Sequence, residues 1–131
     1  VQAWPSPSAI AICYEISDGR ALAAASAEGA RWLLAVANLD PYPQLLQRQF
    51  TALGQLRALE NDRDLLSVAN TGPTVLIRAD GRVHPLLPPL QEGVALAELQ
   101  PRASRTVYAR WRDVLLLSLL VVGLVRLLAS R

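Results

Sequence analysis

Three observations predict a mixed α/β domain followed by an apolar C-terminal segment. Short aliphatic and β-branched runs, SAIAIC (8–13), RWLLAVAN (31–38), LLSVAN (65–70) and TVLIR (74–78), have the length of buried strands. Two stretches of helical character separate the first three of them. Near the C-terminus, VLLLSLLVVGLV (114–125) runs without a charge.

Taken in order, the first strand closes on the single cysteine, Cys13, and gives way to EISDG. ALAAASAEGA (21–30) is a small-residue helix closed by Gly29, the residue type suited to a left-handed cap. RWLLAVAN ends in LDPYP, whose two prolines exclude regular structure. From Gln44 to Asn61, Leu46, Phe50, Leu53, Leu56 and Leu59 recur at steps of three and four, which marks an amphipathic helix. TVLIR and RVHPLL (82–87) flank Asp80-Gly81, a strong hairpin signal. A further strand is predicted over GVALAEL (93–99), beyond a stiff connection marked by Pro85, Pro88 and Pro89.

A membrane-spanning helix needs about 20 mostly apolar residues. Extending the 114–125 run to Trp111 and Ala129 approaches that length, with Tyr108 and Trp111 as interfacial aromatics and Arg126 reaching toward headgroups. The segment has no polar face for water to wet, so it reads as a transmembrane helix rather than a buried core helix. The expected division is therefore a domain over 1–107 and a transmembrane helix with a short tail over 108–131. Arg102, Arg105, Arg110 and Arg112 precede the span, while Arg126 and Arg131 follow it. By charge alone, the domain would face the cytoplasm.

Composition narrows the functional classes. With 131 residues there is room for one domain, and a net charge of +2 without an aromatic-rich basic run argues against nucleic acid as a partner. A single cysteine excludes an internal disulfide. Cys13 itself has two readings from its own stretch: a small buried hydrophobe at a strand end, or a nucleophile. Glu15 lies two residues on, which in a strand is the same face. A thiol also needs a base, since its ordinary pKa of about 8.5 leaves little thiolate at neutrality.

ICYE (12–15), EGARWLLAVAN (28–38), QLRALENDRDLLSVANTG (55–72) and VLIRADGRV (75–83), in that order, resemble the second half of a carbon–nitrogen hydrolase (nitrilase-type) domain. Together with the apolar C-terminal helix they are most similar to the apolipoprotein N-acyltransferase family. The resemblance implies the C-terminal half of an α-β-β-α sandwich followed by one transmembrane helix. It implies Cys13 as nucleophile, with Tyr14 and Glu15 in support. Asn38 matches the start of a loop that in the family carries Trp, Phe and Gly and here reads ANLDPYP. Asn70, Thr71 and Gly72 match a turn near the site.

The implied reaction passes an acyl chain from a phospholipid to the cysteine, and then to the N-terminal diacylglyceryl-cysteine of a lipoprotein. It calls for no cofactor and no metal. The partners would be a phospholipid donor, a lipoprotein N-terminus and the membrane. The implied location is the bacterial cytoplasmic (inner) membrane, multi-pass in intact family members, with the catalytic domain on the outer face. That orientation opposes the arginine count, and the family's is preferred. The family also uses a Glu base and a Lys upstream of the cysteine, and all thirteen basic residues here are arginine. The isolated chain is thus expected to be inactive. Arg57, Glu60 and Arg63, at spacings of three on one helix flank, read as a structural ion-pair face. His84 reads as a surface or core residue. Two alternatives stand beside this reading: a soluble amidase relative, and a non-catalytic membrane-anchored interaction domain.

Overall fold

The architecture comes from a computed structural model that describes residues 6–129. Val1 to Pro5, Ser130 and Arg131, at the limits of the expected domain and tail, lie outside the described residues. Strands β1 (Ser8–Ile12), β2 (Trp32–Ala37), β3 (Leu65–Ala69), β4 (Thr74–Ile77) and β5 (Val83–Leu87) form one sheet in sequence order. β1, β2 and β3 are parallel, and β4 and β5 are antiparallel additions. The parallel pairs are joined by α1 (Gly19–Ala27) and α2 (Gln44–Asn61), the crossover connections that parallel strands require.

Register decides which side chains meet the helices. Ala9, Leu33, Leu65 and Ile77 lie abreast, as do Ala11, Ala35, Ser67 and Val75. Their apolar members are buried with Ile16, Leu22 and Ala58. The alanines of β1 and β2 let the helices approach closely. Gly54 of α2 does the same, since a Cβ there would stand 2.8 Å from Ile77 Cδ1. The opposite face carries Ile10, Ile12 and Val36, of which Ile10 is 56% and Ile12 64% exposed. One sheet face is thus packed, and the other is partly open and apolar.

Local chemistry fixes the helix ends. The Asp18 carboxylate accepts the backbone N–H groups of Arg20 and Ala21 and so caps α1. Gly29, at φ +118°, turns the chain out of it. Asp62, left-handed at φ 50°, closes α2. Arg63 therefore lies past the helix end and is not on the flank that carries Arg57 and Glu60.

Two expectations are corrected. The segment GVALAEL forms no strand: residues 91–106 have no regular structure, and Val94 is 97% exposed. Its polar ties are made by individual groups, with Gln100 N–H bonded to the Asp64 carboxylate and the Glu98 carbonyl accepting from Arg78. The C-terminal apolar stretch is also not one long helix. α3 (Val107–Trp111) ends at Arg112, whose φ of 48° breaks the helix, and α4 (Val114–Ala129) starts after it. Trp111 is thereby separated from the apolar run. α4's 16 residues span about 24 Å, against a hydrocarbon core of about 30 Å. Among the described residues no helix is long and apolar enough to cross a membrane.

Candidate active site

The C-terminal ends of three adjacent parallel strands deliver Cys13, Asn38 and Asn70 to one end of the sheet. In open sheets with parallel strands this is the end where binding crevices form. Cys13 is the first residue after β1 and opens a 3-10 turn, Cys13–Ser17. Its φ is 52°, a left-handed conformation that costs a side-chain-bearing residue roughly 1–2 kcal/mol. The strand thus turns sharply at the sulfur-bearing residue, and the thiol stays partly accessible.

Glu15 does not share a strand face with Cys13, because β1 ends one residue before the cysteine. Its carboxylate folds back instead and accepts the Ile12 backbone N–H at 2.8 Å, tying the turn to the strand that feeds it. Tyr14 is exposed beside the cysteine. Both take part in the cavity wall or the turn that presents Cys13, and neither is buried.

A cavity of about 140 Å³ opens at Cys13. Its walls are Leu39 and Tyr42 from the loop after β2, Leu46, Gln49, Phe50 and Leu53 from α2, and Tyr14 from the turn. Of the α2 residues at steps of three and four, Leu46 is exposed over the cavity, while Phe50 and Leu53 line it and also pack against the core. The loop ANLDPYP does bring an aromatic ring to the site, that of Tyr42. A larger hollow of about 680 Å³ lies elsewhere, between β3, β5 and residues 91–99, and does not include Cys13.

The loop is held by amides. Asn70 Oδ1 accepts the Leu39 N–H at 3.0 Å, and Asn70 Nδ2 donates to Asn38 Oδ1 at 2.7 Å. Asn38 Oδ1 also accepts the Asp40 N–H, and Gln47 Nε2 donates to the carbonyls of Leu39 and Tyr42. Gly72 lies directly behind Leu39, where a Cβ would meet Leu39 Cδ1 at 2.6 Å. Asn38, Asn70 and Gly72 therefore reach the cavity through Leu39. Thr71 points elsewhere, lining a separate hollow with Gln44, Gln47 and Pro89, and its hydroxyl is buried without a hydrogen-bond partner.

The remaining buried charges belong to two other clusters. At the opposite end of the sheet, Asp64 accepts Arg78 at 2.7 Å and the N–H groups of Ala79 and Gln100. Arg63 beside it donates to the carbonyls of Ala30, Asn61 and Asp62. Burial lowers the Arg63 pKa, with Asp62 opposing that and Arg31 and Arg102 adding to it. Arg57 and Glu60 pair at 2.9 Å between α1, α2 and α3, and Gly19 makes room for the guanidinium. Burial raises the Glu60 pKa, partly offset by Arg57 and reinforced by Asp113. Both clusters are polar ties between elements, away from Cys13. His84 is exposed on β5.

Cys13 thus sits on a left-handed turn at the C-terminal end of the parallel strands of a mixed sheet. The carbon-nitrogen hydrolase profile matches residues 7–108, and the chain belongs to that family. Among its relatives, an apolipoprotein N-acyltransferase of Parasynechococcus marenigrum is 69% identical over 110 residues, covering 84% of this chain and 24% of its own length. One from Prochlorococcus marinus is 57% identical over 129 residues, covering 98% and 26%. The chain thus spans about a quarter of the length of these relatives. Among solved structures, an amidase of the nitrilase superfamily from Nesterenkonia AN1 superposes with a TM-score of 0.62 at 21% identity, over 88% of this chain and 45% of the amidase. That likeness is one of fold.

Proposed function

We propose that this chain is the nucleophile-bearing part of an apolipoprotein N-acyltransferase and that Cys13 carries the acyl group. The observation that carries the reading is Cys13 itself, held left-handed after β1 and facing a mainly apolar cavity whose one amide is Gln49. An amidase acting on small polar amides has little use for such a wall, whereas an acyl chain does.

The chemistry has two steps. The Cys13 thiolate attacks the ester carbonyl of a phospholipid, a C–S bond forms, and the lysophospholipid leaves as an alcohol after taking a proton. The α-amino group of a lipoprotein's diacylglyceryl-cysteine then attacks the thioester. The C–S bond breaks, an amide forms, and the thiol recovers a proton. Glu15 holds the turn, and Tyr14 borders the reacting carbon. The general base and the cation opposite the developing oxyanion come from residues outside this sequence, which has no lysine. An arginine is not a simple replacement for the latter, because its charge is spread over a planar fork.

The exposed leucines and valines of α4 make this helix the element that meets the bilayer, while α3 with its buried Ala109 stays packed on the catalytic part. The domain lies on the outer face of the bacterial cytoplasmic membrane, where lipoprotein N-termini are displayed. Mass spectrometry of Cys13 after incubation with phospholipid tests the proposal. The intact protein carrying this sequence gains an acyl mass at Cys13, and its Cys13→Ser variant gains no thioester. The isolated 131-residue chain stays unmodified. An intact protein that turns over lipoprotein substrate with Cys13 replaced overturns the proposal.

A further inference from the structure

We propose that Asn70, Asn38 and Gly72 form a positioning clasp that seats Leu39 as the floor of the cavity beside Cys13 and so sets how deeply a carbon chain enters it. The proposal deepens the acyl-transfer reading and rests on it. None of the three residues lines the cavity. Each acts on Leu39, which does and which is itself buried.

The donor and acceptor accounting leaves the clasp one arrangement. Asn70 Oδ1 accepts the Leu39 N–H, so its Nδ2 must face Asn38. Asn38 must then present its oxygen, and that same oxygen takes the Asp40 N–H. Rotating either amide places like groups against each other or frees a backbone N–H. On the far side, Gly72 leaves a space that Leu39 fills. With a Cβ only 2.6 Å from Leu39 Cδ1, alanine there would displace the leucine from its seat in the cavity wall. The cavity measures about 140 Å³, and a hole of about 150 Å³ accommodates a benzene-sized group. The site therefore holds the first few carbons of a chain, and small movements of Leu39 change how many.

The arrangement is asymmetric in a testable way. Asn38→Asp keeps every contact, because that position only accepts. Asn70→Asp keeps the Leu39 bond but sets a carboxylate oxygen against Asn38 Oδ1.

The probe is Cys13 alkylthiolation in the intact protein by methyl and n-hexyl methanethiosulfonate. The thiolate attacks the sulfenyl sulfur, a disulfide forms and methanesulfinate leaves, with no acyl donor involved. Wild type and Asn38→Asp should react with the hexyl reagent at least about tenfold faster than with the methyl reagent, as apolar burial of the extra methylenes favours it. In Asn70→Asp and Asn70→Ala that ratio should fall about fivefold, the scale of one lost hydrogen bond. Gly72→Ala should lower it too. The methyl rate should hold steady throughout, which a general loss of structure would not allow. Equal ratios across all variants, or equal effects of Asn38→Asp and Asn70→Asp, would overturn the clasp. A preserved hexyl preference in a protein that forms no thioester from phospholipid overturns the acyl-transfer reading instead and leaves the clasp standing.

Discussion

The two ends of the parallel strands each carry a polar cluster, and the clusters follow opposite rules. At the N-terminal ends, Asp64 and Arg63 are almost fully buried and satisfied several times over, by Arg78, two backbone N–H groups and three carbonyls. Asp62 adds Arg102 at 2.6 Å and the Ser104 hydroxyl, pinning residues 101–106 to the sheet. At the C-terminal ends, Asn38 and Asn70 are exposed, hold a loop by three hydrogen bonds, and stand behind a mainly apolar hollow next to a strained cysteine. Saturated polar groups mark where the chain is being held together. Sparse ones beside a mainly apolar hollow leave that end of the sheet open to a ligand.

Substitutions at the two ends should therefore differ in sign as well as size. Asp64→Ala leaves the buried Ala79 N–H without its acceptor and takes the carboxylate from Arg78 and the Gln100 N–H, and should cost about 2–3 kcal/mol in urea unfolding. A loss under about 1 kcal/mol would erase the contrast. Gly19→Ala sharpens it from the helix side. A Cβ there would fall 1.6 Å from Arg57 Nη1, and the forced displacement should cost about 2 kcal/mol in the same assay. Cys13→Gly should go the other way. It relieves left-handed strain of roughly 1–2 kcal/mol against about 0.5–1 kcal/mol of added chain entropy, so stability is held or rises slightly while thioester formation disappears. A marked loss would make Cys13 a packing residue.

The smallest effect concerns Glu60. Its pKa is raised, so the folded state holds its proton more tightly than the unfolded chain does. Its contribution to stability is complete in acid, below the unfolded carboxyl's titration, and is lost as pH rises through the folded value. Stability curves from roughly pH 4 to 7 should show wild type losing ground to Glu60→Gln as pH rises. A gap that is flat with pH would remove Glu60 from the titrating groups.

Much of this was legible in the sequence, unevenly. Strands β1 to β4, the hairpin at Asp80-Gly81 and α2 from Gln44 to Asn61 follow from local patterns, since aliphatic runs and three-four spacing reflect burial directly. GVALAEL misled because its alternation has no neighbouring strand to pair with, and pairing is a tertiary fact. The apolar C-terminus misled because hydropathy does not register the backbone reversal at Arg112. Cys13, Asn38 and Asn70 could be placed at strand ends, but their order across the sheet, and hence their common end, depends on parallel pairing. The three-four spacing marks the apolar stripe of α2 but not what that stripe covers. Only the fold shows that Leu46 and Phe50 stand over the cysteine, with Phe50 packed against the core as well.

The break at Arg112 also has a mechanical consequence. α3 is fastened to the domain by the Thr106 hydroxyl on the Glu60 carbonyl and by buried Ala109, whereas α4 is joined across the break by the Arg20–Asp113 ion pair at 2.5 Å. A force applied along α4 therefore meets an exposed, salt-sensitive link before it reaches any packed residue. The helix behaves as a tether with a weak first stage, and a tug on it is spent at Asp113 before it can disturb the geometry around Cys13.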